Sequence, residues 1–209
     1  MTNIPQTMSE KDVKIRRRFS VHSGFCSVER YELAHHLFDG SWTPEYTREF
    51  VVKPCAACAV PYDPKLDQVV LIEQFRVGAL GQSTTPWLIE IVAGTMDKDH
   101  QESDEELIKR EMREEAGLEI ETLIPICDYF SSPGYSTEKL KLYCAKVDST
   151  KAPKLCGLKE EHEDIKIHVV STKDAFLAVR SGQITNGAAI IALQWLELNL
   201  ENVKKQWRS

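Results

Sequence analysis

Residues Gln68-Val69-Val70-Leu71-Ile72-Glu73-Gln74-Phe75 form a nearly continuous apolar run. A strand with one wet face alternates apolar and polar side chains, so a run that is apolar on both parities has to be covered on both faces. The neighbouring segments offer the cover. Residues 28–37 and 49–60 are rich in β-branched, aromatic and aliphatic side chains and read as strands, with the turn-rich Asp39-Gly40-Ser41-Trp42-Thr43-Pro44 between them. Pro61-Tyr62-Asp63-Pro64-Lys65 reads as the loop leading into the central run. A short strand over 87–92 runs into Ala93-Gly94. A helix over 102–116 follows, with Gly117 where a helix end wants a positive φ. Further strands are expected near 123–129, 139–147 and 165–170. Two helices close the chain. The first opens at Ser171-x-x-Asp174 and ends at Gly182; the second is capped by Asn186 and turns Ile190, Ile191, Leu193, Trp195, Leu196 and Leu198 largely toward the core. The expected class is α/β (α+β), a mixed sheet sandwiched between helices, with residues 1–50 as an appended β unit and 51–209 as the main domain.

Composition removes several alternatives. With 209 residues and 42% hydrophobic side chains the chain can bury a core without disulfide or metal staples. A net charge of −6 gives no general attraction to nucleic acid, and no apolar run is long enough to cross a bilayer. The basic cluster Lys14, Arg16, Arg17, Arg18 is followed by no apolar stretch, so residues 1–19 are not a secretory signal and read as a solvated, partly disordered tail. The six cysteines read as small buried thiols of a cytoplasmic protein. Cys55 and Cys58 lie three apart on a strand and face opposite sides, which argues against a shared metal. His35, His36 and His162 have no matched ligand set and read as structural or exposed.

The segment Gly94–Leu118 carries the chemistry. On a helix Ile108, Met112 and Ala116 form an apolar stripe with Leu107 beside it, and Glu111, Glu114 and Glu115 share a neighbouring face. Like charges at that spacing repel by a few tenths of a kcal/mol per pair in water, and by more when buried. One reading is a solvated acidic face balanced by Lys109, Arg110 and Arg113. The other is a nest of hard oxygen ligands for a divalent cation. The strand and glycine before the helix favour the second, as does Arg110, one turn from Glu114.

These residues resemble the Nudix box. Glu102, seven residues, then Arg110-Glu111-Met112-Arg113-Glu114-Glu115-Ala116-Gly117-Leu118 fill every fixed position of that half. Gly94 and Glu102 are separated by seven residues, two more than in the family pattern. The resemblance extends over about 25–207 and is similar to the ADP-ribose pyrophosphatases. It rests on Val69–Arg76, Pro86–Gly94, Ser132-Pro133-Gly134 with its proline fifteen residues past Leu118, Leu158–Asp164 and Asn186–Leu196.

The resemblance implies a Nudix fold and metal-dependent hydrolysis of ADP-ribose to AMP and ribose 5-phosphate. It implies Mg2+ or Mn2+ held by Glu111, Glu115, Glu163 and the Ala93 carbonyl, with Glu114 either sharing a metal or holding Arg110. It implies Glu161, on a mobile loop, as general base, beside Glu115 as the second catalytic carboxylate. Phe25, Arg48, Glu49, Arg76, Thr95, Ser132, Pro133, Gly134 and Glu138 are the candidate substrate contacts. A homodimer is implied, its amino-terminal β unit crossing to the partner so that Phe25, Arg48 and the Ser132–Gly134 loop serve the other subunit's site. The rivals are a Nudix hydrolase of another nucleotide sugar such as GDP-mannose, and a non-catalytic ADP-ribose sensor. The complete set of glutamates and the lack of a spare domain argue against the sensor.

Overall fold

The computed structural model describes residues 4–96 and 102–208, the last by its backbone alone. Eleven strands and three α-helices are present among them: β1 Val13–Ser23, β2 Ser27–His35, β3 Tyr46–Val52, β4 Ala56–Asp63, β5 Gln68–Phe75, β6 Trp87–Glu90, β7 Val92–Thr95, α1 Asp104–Ala116, β8 Thr122–Phe130, β9 Lys139–Lys146, β10 Leu155–Cys156, β11 Ile165–Ser171, α2 Thr172–Arg180 and α3 Gly187–Arg208. They divide into two compact units. The smaller holds Met1–Lys53 and Ser132–Glu138; the larger holds Pro54–Ser131 and Lys139–Ser209.

The larger unit is built on an eight-stranded mixed sheet, order β10-β11-β5-β4-β9-β8, with β6 paired to β5 and β7 to β4. The β4–β9 pair is parallel and β4–β5 antiparallel. The alternation of side chains then sorts the core into two layers. Cys58, Val60, Tyr62, Val69, Leu71, Leu142 and Cys144 face α2 and α3, meeting Ala175, Phe176, Ala189, Leu193, Leu196 and Trp207. Ala57, Ala59, Val70, Ile72 and Ala145 face α1, meeting Leu107, Ile108, Met112 and Ala116. Both parities of β4 and β5 are therefore buried, as the unbroken apolar run at Gln68–Phe75 requires. Each fully buried Leu, Ile or Met contributes about 1.5–3 kcal/mol, so α1 is pinned to the sheet by its apolar stripe, while its acidic face looks along β7.

The smaller unit is a three-stranded antiparallel sheet, order β1-β2-β3. Residues 132–138 join it through the backbone bridge Val51–Ser136 and through Thr137, whose Oγ1 accepts from Lys53 N and donates to Lys53 O, both at 2.9 Å.

Several boundaries differ from the sequence reading. The basic cluster expected in a tail lies in β1, which pairs with β2 through two register shifts. Arg16 there meets Glu45 at 2.6 Å, and Lys14 stacks on Trp42 at 3.8 Å, so the charges are matched within the sheet. Residues 49–60 form parts of two strands broken at Lys53-Pro54-Cys55, because proline has no N–H to give a ladder. Pro61, Tyr62 and Asp63 continue β4 instead of forming a loop. Tyr62 is buried against α3, and buried Asp63 accepts from Lys65 N and Leu66 N to close the turn. The strand expected over 87–92 ends at Glu90, and the chain passes from β5 to β4 as its partner. Leu198 is 84% exposed, outside the core stripe of α3. Of six free cysteines only Cys58 and Cys144 are buried; Cys127 is exposed. No helix among the described residues is long and apolar enough to cross a membrane. His35 and His36 are partnered by Tyr46 and Asp12, and exposed His162 ends a short 3-10 turn.

Candidate active site

α1 is fixed at both ends by local chemistry. Ser103 and Glu106 form a reciprocal capping box at its start. Gly117 (φ 63°) ends it, and the Gly117 and Leu118 N–H groups donate to Arg113 O and Met112 O. The apolar stripe sets its rotation, and that rotation brings Glu111 and Glu115 against β7. Glu115 is 3% exposed and accepts from Ala93 N at 3.0 Å. Glu111 lies so close to Gly94 that a Cβ there would fall 2.2 Å from Glu111 Cγ and 2.4 Å from Oε1. Glycine at 94 is the cradle for that carboxylate.

Burial is the main force on both acids. It pushes Glu115 up to about 8, against the Ala93 N–H and with the charges of Glu111 and Glu163 adding to it. It pushes Glu111 up to about 7, against Arg110 and with Glu114 and Glu163 adding to it. Burial thus outweighs the positive charge that Arg110 brings to Glu111 and Arg76 to Glu115.

Arg110 is already shared. It reaches Glu114 Oε2 at 2.7 Å, Glu111 Oε1 at 2.9 Å and Glu102 Oε1 at 3.1 Å. Glu102 thus keeps a place at the helix start despite the lengthened loop; the inserted stretch at 97–101 lies outside the described residues.

Two further segments complete the cluster. Glu163 and Glu161 flank His162 in the loop between β10 and β11. Gly157 N donates to Glu114 O at 3.2 Å, tying that loop to the end of α1. Gly157 (φ 101°) has no room for a side chain, since a Cβ would meet Glu163 Cβ and O at 2.9 Å. Glu163 Oε2 accepts from Leu158 N at 3.4 Å, and its charge reaches both Glu111 and Glu115. Glu161 is exposed. Arg76, at the end of β5, is held by Glu90 on β6 and also feels the charges of Glu115 and Glu163.

Among the described residues no three Asp, Glu, His or Cys side chains are gathered tightly enough to cage an ion by themselves. The donor set nevertheless fits Mg2+ or Mn2+. Mg2+ keeps several waters and takes only one or two carboxylates plus substrate oxygens, and burial outweighs the arginine charges near Glu111 and Glu115, which leaves a demand for further positive charge there.

The other expected contacts divide between the units. Thr95 lies at the end of β7 in the larger unit. Phe25, Arg48, Glu49, Ser132, Pro133, Gly134 and Glu138 belong to the smaller. Phe25 is fully exposed at a hairpin tip. Arg48 lies over the Tyr46 ring at 4.5 Å, and Glu49 is 3.9 Å from Arg30. Ser132 O accepts from Tyr135 N and Ser136 N, turning the chain at Pro133-Gly134, and Glu138 N donates to Ser136 Oγ. The sequence reading missed a buried polar group around Glu90, Gln74 and Asn186. Its only signal was one acid inside the apolar stretch Trp87–Val92.

Residues 52–193 match the family model described as NUDIX domain. Over 205 residues the chain is 42% identical to the ADP-ribose pyrophosphatase of Escherichia coli (strain K12), covering 98% of this chain and 97% of that protein. It is 38% identical over 206 residues to the ADP-ribose pyrophosphatase of Haemophilus influenzae, covering 97% and 94%. A GDP-mannose pyrophosphatase of Escherichia coli O1:K1 is 30% identical over 156 residues, 74% of this chain and 79% of that protein. The fold is that of a solved ADP compounds hydrolase, TM-score 0.71 at 21% identity, covering 97% of this chain and 100% of the other. With the glutamate helix, its glycine cradle and the family match over most of its length, the chain belongs to the Nudix family of hydrolases.

Proposed function

We propose that this protein hydrolyses the diphosphate bond of ADP-ribose, giving AMP and ribose 5-phosphate. The observation that carries the reading is the 42% identity to an ADP-ribose pyrophosphatase across 98% of the chain, supported by Glu111, Glu114 and Glu115 on one helix. The match to the GDP-mannose enzyme is weaker and shorter.

Glu111, Glu115, Glu163 and the Ala93 carbonyl would hold Mg2+ or Mn2+, with Glu114 held by Arg110 at the edge of the set. Bound there, the ion supplies charge neutralisation of the diphosphate and activation of a water. The residues do the rest. The Gly94 cradle and the Ala93 N–H fix the carboxylates of half-buried Glu111 and buried Glu115 before substrate arrives, which lowers the reorganisation needed at the reaction step. Arg76 presents a fixed cation to a phosphate oxygen. Glu161, on an exposed loop anchored through Gly157, takes the proton of the attacking water when substrate is seated. Thr95, Glu49 and Glu138 contribute hydrogen bonds to the substrate, and Phe25 offers a face for adenine.

The working form is a homodimer in which Phe25, Arg48 and the Ser132–Gly134 loop serve the partner's site. None of the described residues from 4 to 55 is buried, a condition in which a small sheet has little stability alone.

The test is hydrolysis in ¹⁸O-water with ADP-ribose and with GDP-mannose, with Mg2+ and with excess chelator. The expected result is label in one phosphate product, preference for ADP-ribose, and loss of turnover in chelator. Equal rates on both sugars, or full turnover in chelator, would overturn the reading.

A further inference from the structure

Glu90 lies on β6 in an otherwise apolar stretch and is only 4% exposed. Taking a carboxylate out of water costs several kcal/mol unless its oxygens are well satisfied. Here every neighbour is a donor. Oε2 accepts from Arg76 Nη2 at 2.8 Å and Nε at 3.1 Å, with Gln74 Nε2 at 3.4 Å. Oε1 accepts from Asn186 Nδ2 at 3.1 Å. Asn186 is itself locked, since its Oδ1 caps α3 by accepting from Ala189 N at 3.0 Å. A chain of fixed groups thus runs from the start of α3, through Asn186 and Glu90, to the guanidinium. Arg76 remains 44% exposed on its outer side. Two of its nitrogens are spent on Glu90, and Nη1 has no hydrogen bond to any described residue.

The geometry points to Glu90 as a positioning residue: with Asn186 behind it, it aims the free Nη1 of Arg76 at a phosphate of the substrate. A guanidinium on a five-bond stem loses considerable rotamer freedom when it grips an anion. One already clamped along its Nε–Nη2 edge has lost that freedom in advance, so the benefit appears in substrate affinity. This inference rests on the reading of Arg76 as a phosphate contact.

The experiment is a double-mutant cycle on the full-length enzyme with Mg2+ and ADP-ribose, combining Glu90→Gln with Arg76→Ala. Glutamine keeps the shape but sets an NH2 group against donors. Glu90→Gln alone is expected to raise KM about 10-fold with kcat within about 2-fold. In the Arg76→Ala background it should add less than about 2-fold to KM. A purely structural Glu90 would instead cost the same in both backgrounds and would lower kcat. Should Glu90→Gln not fold, Asn186→Ser keeps a capping oxygen for α3 and removes the donor to Glu90. It is expected to raise KM about 3-fold in the native background only.

Arg76→Ala separates the two claims. Unchanged KM in Arg76→Ala removes the arginine from the site and defeats the site reading together with the inference. Raised KM in Arg76→Ala beside unchanged KM in both Glu90→Gln and Asn186→Ser defeats the positioning role alone.

Discussion

Glu115 occupies a place where a carboxylate is least welcome, behind β7 and out of water, and that cost is the mark of its use. Its folded-state acidity is weakened from 4.5 to about 8. Between those values the native state holds a proton that the unfolded chain has lost, so its contribution is favourable below about 4.5 and is lost as pH rises through about 8. Glutamine carries no such penalty and still accepts from Ala93 N. In chelator at pH 8.5, Glu115→Gln should therefore melt a few degrees above the native protein, with the gap closing toward pH 5. The same variant should be nearly inactive. Its rate loss should be at least as large as that of Glu161→Gln, for which about 10²–10⁴-fold is expected of a lost general base. A Glu161→Gln enzyme at native speed would remove that residue from the mechanism. Gly94→Ala tests the cradle. The added Cβ would drive the Glu111 side chain aside, and because that chain is flexible the fold should survive. A rate loss of about 100-fold with a raised metal requirement and a melting point within a few degrees of native is the expected signature. Unchanged metal dependence would mean that Glu111 is not a ligand.

The turn after β4 shows the opposite electrostatic sign at the level of an element. Burial alone would raise the Asp63 carboxyl, but donors from Ser149 N and Oγ, Lys65 N and Leu66 N hold it below its usual 3.8. Its contribution is full above the unfolded value and falls as pH drops through the folded one. Asp63→Asn turns an NH2 group toward donors. It should cost about 2 kcal/mol in urea unfolding at pH 7 and progressively less below pH 4. A pH-independent difference would show that the charge is immaterial there. Elements of this kind mark the edge of what the sequence made legible. The central strand, α1 with its glycine stop, and the Ser171 and Asn186 caps followed from local patterns, because covering both faces and satisfying helix ends are local demands. Asp63 and Glu90 were missed because their partners lie far along the chain, Ser149 for one and Asn186 for the other. A lone acid beside apolar neighbours does not say which distant donor meets it.

At the scale of the whole molecule, the chain contributes residues to each unit from two separated stretches. Ser132–Glu138 interrupts the larger unit's β8–β9 hairpin to pack with β3, a pairing with no counterpart in composition or periodicity. The two units differ in kind. The larger has two buried layers; the smaller leaves Val13 and Ile15 about two-fifths exposed along β1. By register, Ile15 lies across from Leu33, and Leu33 across from Tyr46, so one face carries an apolar row, none of whose three residues is buried. A second copy of the chain would give that row a cover and would bring Phe25 and Arg48 to the neighbouring site. Stability and activity would then both follow mass action. Dilution from about 10 μM to about 10 nM should lower the specific activity and the melting temperature together. Ile15→Asp, on an exposed strand position, should shift that transition to higher concentration and leave the larger unit folded. A single-chain particle by sedimentation, with specific activity independent of dilution, would show that each chain works alone.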